Sequence, residues 1–313
     1  MTYQALARKW RPRTFEQVAG QQHVVQALSN ALEQQRIHHA MLFSGTRGVG
    51  KTTLGRIISK CLNCETGVTA TPCGSCSACE QIDQGRFVDL IEIDAASRTK
   101  VDDTRELLDN VQYAPTRGRY KVYLIDEVHM LSKHSFNALL KTLEEPPPHV
   151  KFIFATTESH KVPITIRSRC QRYDFRLIPR AIIAERVRAI LESEKVQADD
   201  ATVALVAREA AGSMRDALTL LDQIVAFGGD RLEGEEVARH LGIAARGAVQ
   251  SVVQAILDGD AGTVLRFLDE SLAQGTDPLH FTNQLLHLLR DLVVLSVTGD
   301  DSALVDLVAE EKK

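Results

Sequence analysis

Gly45-Thr46-Arg47-Gly48-Val49-Gly50-Lys51-Thr52 constrains this 313-residue chain more than any other segment. Its spacing is G-x-x-x-x-G-K-[ST]. It lies between the apolar run Ala40–Phe43 and a helical stripe of Leu54, Ile57, Ile58, Cys61 and Leu62. Strand, glycine loop and helix in that order build a phosphate cradle. Glycines let backbone N–H groups turn inward around phosphate oxygens, and the helix N-terminus adds partial positive charge. Lys51 is expected to reach the β- and γ-phosphates of ATP and the Thr52 hydroxyl to ligate Mg²⁺. Thr53 joins the expected nucleotide-binding set. A plain glycine turn is the rival reading, and length, order and flanks all speak against it.

The rest of the first half alternates in the same way. The alternating segment Val88–Ile93, the buried run Val122–Ile125 and the segment Lys151–Ala155 read as strands, and the segments near Val24–Leu32, Val101–Val111 and Phe136–Leu143 as helices. Such alternation predicts a parallel sheet covered by helices on both faces. After Phe175 no further strand is expected. Pro179 opens a helix to Glu192, and Asp199 or Asp200 caps one that runs to Ala211. Ser213 caps another through Ala226, with Asp216 as capping-box partner. Helices follow at Val249–Leu257, Gly262–Ala273 and Pro278–Val297.

Behind the predicted strand Val122–Ile125 come Asp126 and Glu127. A buried strand delivering two carboxylates fits a metal-holding Asp126 followed by a Glu127 that polarises the attacking water. A solvated acidic turn is the alternative. Cys64, Cys73, Cys76 and Cys79 place four thiols within sixteen residues. Zinc takes four tetrahedral soft ligands, so this set predicts a closed, structural Zn²⁺ site, with free thiols as the alternative. Cys61 falls on the apolar stripe and Cys170 is remote; both are expected to pack as small hydrophobes.

Several residues keep two readings. Arg169, in Ser168-Arg169-Cys170, is either part of a surface cluster with Arg167 and Arg172 or a guanidinium aimed at a γ-phosphate. Arg215 opposes its helix dipole unless an anion lies near, with Asp216 as the ordinary alternative. Thr156 and Thr157 either orient a water or phosphate oxygen, or cap the next segment. His129 is expected to be a packed or surface histidine. Lys9-Trp10-Arg11-Pro12-Arg13 is a solvated arm or a lid on an adenine.

Composition narrows the setting. Hydrophobic residues are 44% and charged residues 25%, enough for a sizeable core. The net charge of −4 excludes a chain that coats nucleic acid as a polycation; DNA contact must be local or shared with partners. No run is long and apolar enough to span a bilayer, and Met1–Pro12 has no apolar signal-peptide core. A cytoplasmic location with reduced thiols is expected.

Together these residues resemble the gamma/tau subunits of the bacterial DNA polymerase III clamp loader, a family of AAA+ ATPases, over essentially the whole chain. The resemblance rests on Lys9–Pro12 with Phe15–Gln21, the phosphate loop, Asp126-Glu127, the cysteine module behind the loop helix, Ser168-Arg169-Cys170 and Gly212-Ser213-Met214-Arg215-Asp216, in that order. The cysteine module is the most specific of these. The resemblance implies an α/β P-loop (AAA+) ATPase domain over residues 1–177 with an inserted zinc module at 61–80. A small helical lid at 178–242 and an all-helical collar at 243–313 follow. Family members carry a longer collar, so this one is expected to be incomplete at Lys313.

By the same resemblance Arg169 acts in trans as a finger. Arg215 is the second sensor, a threonine of Thr156-Thr157 is the first, and Arg11 and Pro12 lie on the adenine side. The implied partners are further gamma/tau copies, two related non-hydrolysing subunits, the sliding clamp and primed-template DNA. The implied activity is ATP hydrolysis coupled to loading the clamp. Two alternatives stand beside it. One is a DNA branch-migration motor of the same superfamily, against which the cysteine module speaks. The other is a non-hydrolysing scaffold subunit, against which the intact Lys51, Thr52, Asp126 and Glu127 speak.

Overall fold

The alternation of buried strands and amphipathic helices is realised as one parallel sheet. The structure is a computed structural model and describes residues 4–97, 110–229, 231–241, 246–273 and 276–298. The strands are β1 (Ala40–Ser44), β2 (Leu90–Asp94), β3 (Lys121–Asp126), β4 (Val150–Thr156) and β5 (Gln171–Asp174). Their spatial order is β2-β3-β4-β1-β5. Every residue of β1 and β4 is buried, as central strands covered on both faces require.

The helices of this part are α1 (Leu6–Lys9), α2 (Gln22–Glu33), α3 (Lys51–Asn63), α4 (Ser77–Asp83), α5 (Lys133–Glu144), α6 (Ile164–Arg167) and α7 (Arg180–Glu194). Then come α8 (Asp200–Glu209), α9 (Met214–Gly228), α10 (Gly234–His240), α11 (Arg246–Leu257), α12 (Ala261–Ala273) and α13 (Pro278–Thr298). No described helix is long and apolar enough to cross a membrane.

Strand side chains alternate between two cores. Met41, Phe43, Val122, Leu124, Ile153 and Ala155 pack with the apolar faces of α2 and α3. Ala40, Leu42, Tyr123, Ile125, Phe152 and Phe154 pack on the other face with Phe136, Leu139 and Leu143 of α5. Cys61 is fully buried in the first core, and Cys170 packs against the second. α3 lies close on the sheet at Gly55, where a Cβ would come within 2.8 Å of Leu124 Cδ1.

The register pairs Ser44 with Thr156 and with Asp174, and Asp94 with Asp126. The carboxyl ends of the strands therefore share one rim, where open α/β sheets bind ligands.

Four expectations need correction. β5 extends the sheet where no strand was expected; it is an edge strand with only Tyr173 buried, so it shows no apolar run. β2 begins at Leu90, because Val88 is 48% exposed and outside the ladder. Strands do not stop at Phe175: Gln197–Ala198 and Arg231–Leu232 form β6 and β7, a parallel two-residue pair. The capping box at α9 is half made. Ser213 Oγ accepts the Asp216 N–H at 3.2 Å, but the Ser213 N–H bonds Ala210 O instead. The helix expected at Val101–Val111 falls mostly outside the described residues; Asn110–Gln112 is a single 3₁₀ turn.

The chain divides into two compact units, Met1–Ser193 with Val206–Gln223, and Glu194–Leu205 with Ile224–Lys313. In the second, Asp199 caps α8 through the Thr202 N–H at 2.7 Å and also accepts the Gly234 N–H at 3.1 Å. There too Val249, Val252 and Phe281 pack with Val264, Phe267 and Leu285 to join α11, α12 and α13.

Candidate functional site

Gly48 shows why the loop is glycine-rich. Its φ is +78°, a left-handed conformation that only glycine adopts freely, and a Cβ there would lie 1.9 Å from Ser213 Oγ. Gly48 O accepts the Arg215 N–H at 3.4 Å. The start of α9 thus rests on the loop and brings Arg215 beside it.

Lys51 opens α3 and is 6% exposed. Its ammonium donates to Gly45 O at 2.8 Å and Thr46 O at 2.7 Å. Burial lowers its pKa, and Arg215 lowers it further against the opposing pull of Glu127 and Asp126. Thr52 Oγ donates to Asp126 Oδ2 at 2.8 Å, and Asp126 Oδ1 accepts the Glu127 N–H at 3.0 Å. A helix-terminal hydroxyl against a carboxylate is a hard oxygen pair of the kind that suits Mg²⁺.

These groups line a cavity of about 100 Å³ together with Trp10, Arg11, Pro12, Arg47, Val49, Gly50, Thr53, Arg186 and Met214. The Arg186 guanidinium stands 5.9 Å from the Trp10 ring centroid. Burial, then the nearby Arg56, Arg215 and Arg8, lower the Arg11 pKa.

Glu127 sits at φ +47°. Its Oε2 accepts the Thr157 N–H at 3.2 Å and the Thr157 hydroxyl at 3.0 Å. His129 Nδ1 lies 2.9 Å from Thr156 Oγ and 3.3 Å from Glu127 Oε2, and its Nε2 is 3.4 Å from Glu158. Thr156 is fully buried at the end of β4. Both threonines, the glutamate and the histidine therefore form one network beside the phosphate loop.

Arg169 stands apart from this cavity. Its guanidinium donates to Thr165 O at 2.7 Å and to Glu144 Oε1 at 2.5 Å, with its side chain 34% exposed.

The four cysteines also meet. The Sγ atoms of Cys64, Cys73, Cys76 and Cys79 all lie within 4.8 Å of one another. Zn–S bonds of about 2.3 Å set tetrahedral sulfurs roughly 3.8 Å apart, so this set fits one zinc after slight contraction. The Cys73 N–H points at Cys64 Sγ at 3.4 Å and the Cys76 N–H at Cys73 Sγ at 3.3 Å. Backbone donors from Ser75 and Cys76 bring the Cys73 thiol down to about 6, which favours the thiolate a metal needs. Arg119 fixes the module by donating to the carbonyls of Cys64 and Glu65, and Asn63 Oδ1 accepts the Tyr120 N–H at 2.9 Å.

His129 in the network and Arg186 at the cavity were not singled out in the sequence as site residues. His129 was read as a packed or surface residue; only its position two residues after Glu127 hinted otherwise. Arg186 carried no signal, being one cation on an amphipathic helix.

The chain is similar to known proteins along its length. The family model described as DNA polymerase III, delta subunit, matches residues 20–179. The ATPase lid domain of the DNA polymerase III clamp loader subunit matches 182–230, and domain III of DNA polymerase III subunits gamma and tau matches 232–313. The chain is 52% identical to DNA polymerase III subunit tau of Escherichia coli (strain K12), over 99% of the chain and 49% of that protein. It is 44% identical to DNA polymerase III subunit gamma of Buchnera aphidicola subsp. Acyrthosiphon pisum, over 100% of the chain and 86% of that protein. It spans about half the length of the tau subunits it matches. Among solved structures, the RuvB Holliday junction branch migration motor of Thermotoga maritima superposes with a TM-score of 0.57 at 21% identity, over 79% of each chain. At that identity the likeness is one of fold.

Proposed function

The chain belongs to the gamma/tau family of DNA polymerase III clamp-loader subunits, and from that membership we propose that it binds and hydrolyses ATP as the motor subunit of a clamp loader. The observation that carries the reading is the meeting of Lys51, Thr52, Asp126 and Glu127 on one rim of the sheet. A scaffold subunit has no use for that set. A branch-migration motor has no use for the cysteine module, and its likeness here extends to the fold alone.

The residue roles follow from position. Backbone N–H groups of Gly45–Thr53 would cradle the phosphates, and Lys51 would exchange its two carbonyl partners for phosphate oxygens. Thr52 and Asp126 would hold Mg²⁺, whose chemistry is to neutralise charge on those oxygens. Glu127 would polarise the attacking water, once its Oε2 turns from Thr157. Thr156 and Thr157 would register the γ-phosphate. Arg215 would report it to α9, and Arg11 and Pro12 would flank the base. Arg169, turned toward Glu144 and off its own cavity, is offered to a neighbouring subunit.

The same proposal includes the division into an ATPase domain to residue 177, a lid to 242 and a collar beyond it; successive family-model matches to 20–179, 182–230 and 232–313 support three parts in that order, with the lid ending earlier. It also includes a cytoplasmic location and a structural zinc on Cys64, Cys73, Cys76 and Cys79. Metal analysis of fresh reduced protein should find one zinc per chain, and well under one would remove that element. Further gamma/tau copies, two related subunits, the sliding clamp and primed DNA are the proposed partners. ATP does work on the clamp only if it binds the clamp-competent form better than the resting form.

Steady-state ATPase of the chain, reconstituted with the two related subunits, tests the whole reading. Stimulation that needs both clamp and primed DNA, and that Lys51→Ala abolishes, is the expected result. Hydrolysis indifferent to the clamp overturns it.

A further inference from the structure

Arg8, Arg11, Arg13, Arg56 and Arg86 converge on a second cleft, of about 700 Å³. Arg11 and Pro12 line both this cleft and the nucleotide cavity. The chain carries −4 overall, so five guanidiniums in one recess reverse its charge locally. The two carboxylates on the wall do not balance them. Asp83 is engaged by Lys60 at 2.8 Å and Glu92 by Arg56, which leaves Glu80 alone against Arg8, Arg11, Arg13 and Arg86.

Arg56 is held by Glu92 at 2.6 Å, yet its Nε is buried without an acceptor. Arg8, Arg11 and Arg13 have no ion pair among the described residues. Burial, then the neighbouring Arg56, Arg215 and Arg8, lower the Arg11 pKa against the opposing pull of Glu92.

We propose that this cleft binds a small, multiply charged phosphate compound, of the polyphosphate or nucleoside polyphosphate class, at a site separate from the phosphate loop. Guanidinium forks match phosphate oxygens two at a time and stay charged where a lysine would not. The volume suits a compact ligand. A strand of nucleic acid needs a continuous basic track, and Glu80 interrupts this one. The binding needs no hydrolysis, so it stands or falls apart from the motor reading.

The test is calorimetric titration of tripolyphosphate, premixed with equimolar Mg²⁺, into the zinc-loaded full chain saturated with Mg·ADP. A further equivalent is expected to bind. Arg8→Ala with Arg86→Ala should weaken it by about tenfold or more, as loss of charge-assisted bonds requires, while ADP affinity is unchanged. Arg8→Lys with Arg86→Lys should retain an intermediate affinity. No second binding event, or one indifferent to Arg8 and Arg86, overturns the proposal. So does a single-stranded oligonucleotide of about ten residues that occupies the cleft at lower concentration than tripolyphosphate, which would make it a nucleic-acid surface.

Discussion

Glu127 holds its carboxylate from a left-handed backbone position, where a non-glycine residue stores on the order of 1–3 kcal/mol of strain. Its Oε2 is already taken by the amide and hydroxyl of Thr157. Replacing the acid by its amide keeps the shape and removes the base. Glu127→Gln should therefore bind ATP as the parent does and hydrolyse it about 100-fold or more slowly, read by equilibrium binding beside single-turnover hydrolysis. Loss of binding as well would assign Glu127 to the ground state. Lys51 with Thr52, and Asp126 with Glu127, could each be picked out in the chain as candidates because each pair sits at a strand end with its own short-range pattern, and the structure brings the two pairs into one cavity. The placement of His129 was not, because its meaning depends on Thr156, 27 residues away. Nor was the pairing of Arg186 with Trp10, which joins residues 176 positions apart in the sequence.

At the scale of elements, α3 carries both the first turn that faces the loop and the glycine that lets it settle on β3. Gly55→Val would drive branched carbons into Leu124, itself 1% exposed, and should cost about 1–3 kcal/mol in urea unfolding. Gly55→Ala should cost less, since alanine gains about 1 kcal/mol of helix propensity over glycine. An unchanged midpoint for the valine variant would mean that α3 slides on the sheet. The central strands were plain in the sequence because β1 and β4 are buried on both faces and carry the apolar stretches Ala40–Phe43 and Phe152–Ala155. The edge strand β5 was not: Gln171, Arg172 and Asp174 face water, and backbone pairing with β1 holds it. β6 and β7 are too short for any period to show; their register is set by neighbours.

At the scale of the molecule, the described part of α13 leaves an apolar stripe uncovered. Leu279, Leu286 and Val293 recur every seven residues and are 71%, 59% and 63% exposed. A repeat of seven sets them along one face of the helix, and an exposed apolar face suits subunit association. Leu286→Glu with Val293→Glu should leave the chain folded by circular dichroism and lower the mass of its assembly with partner subunits, read by light scattering. Assembly at full mass would place the joint elsewhere. The Leu6 N–H donates to Asp222 Oδ2 at 2.8 Å, across 216 positions of sequence. A ribosome adding about 5–20 residues each second needs roughly 10–45 s to travel that distance. For all that time the segment bearing Trp10, Arg11 and Pro12 has left the tunnel without the anchor that fixes it. The phosphate loop is thus among the first parts of the pocket to be synthesised, and the clasp on its N-terminal wall is fastened last.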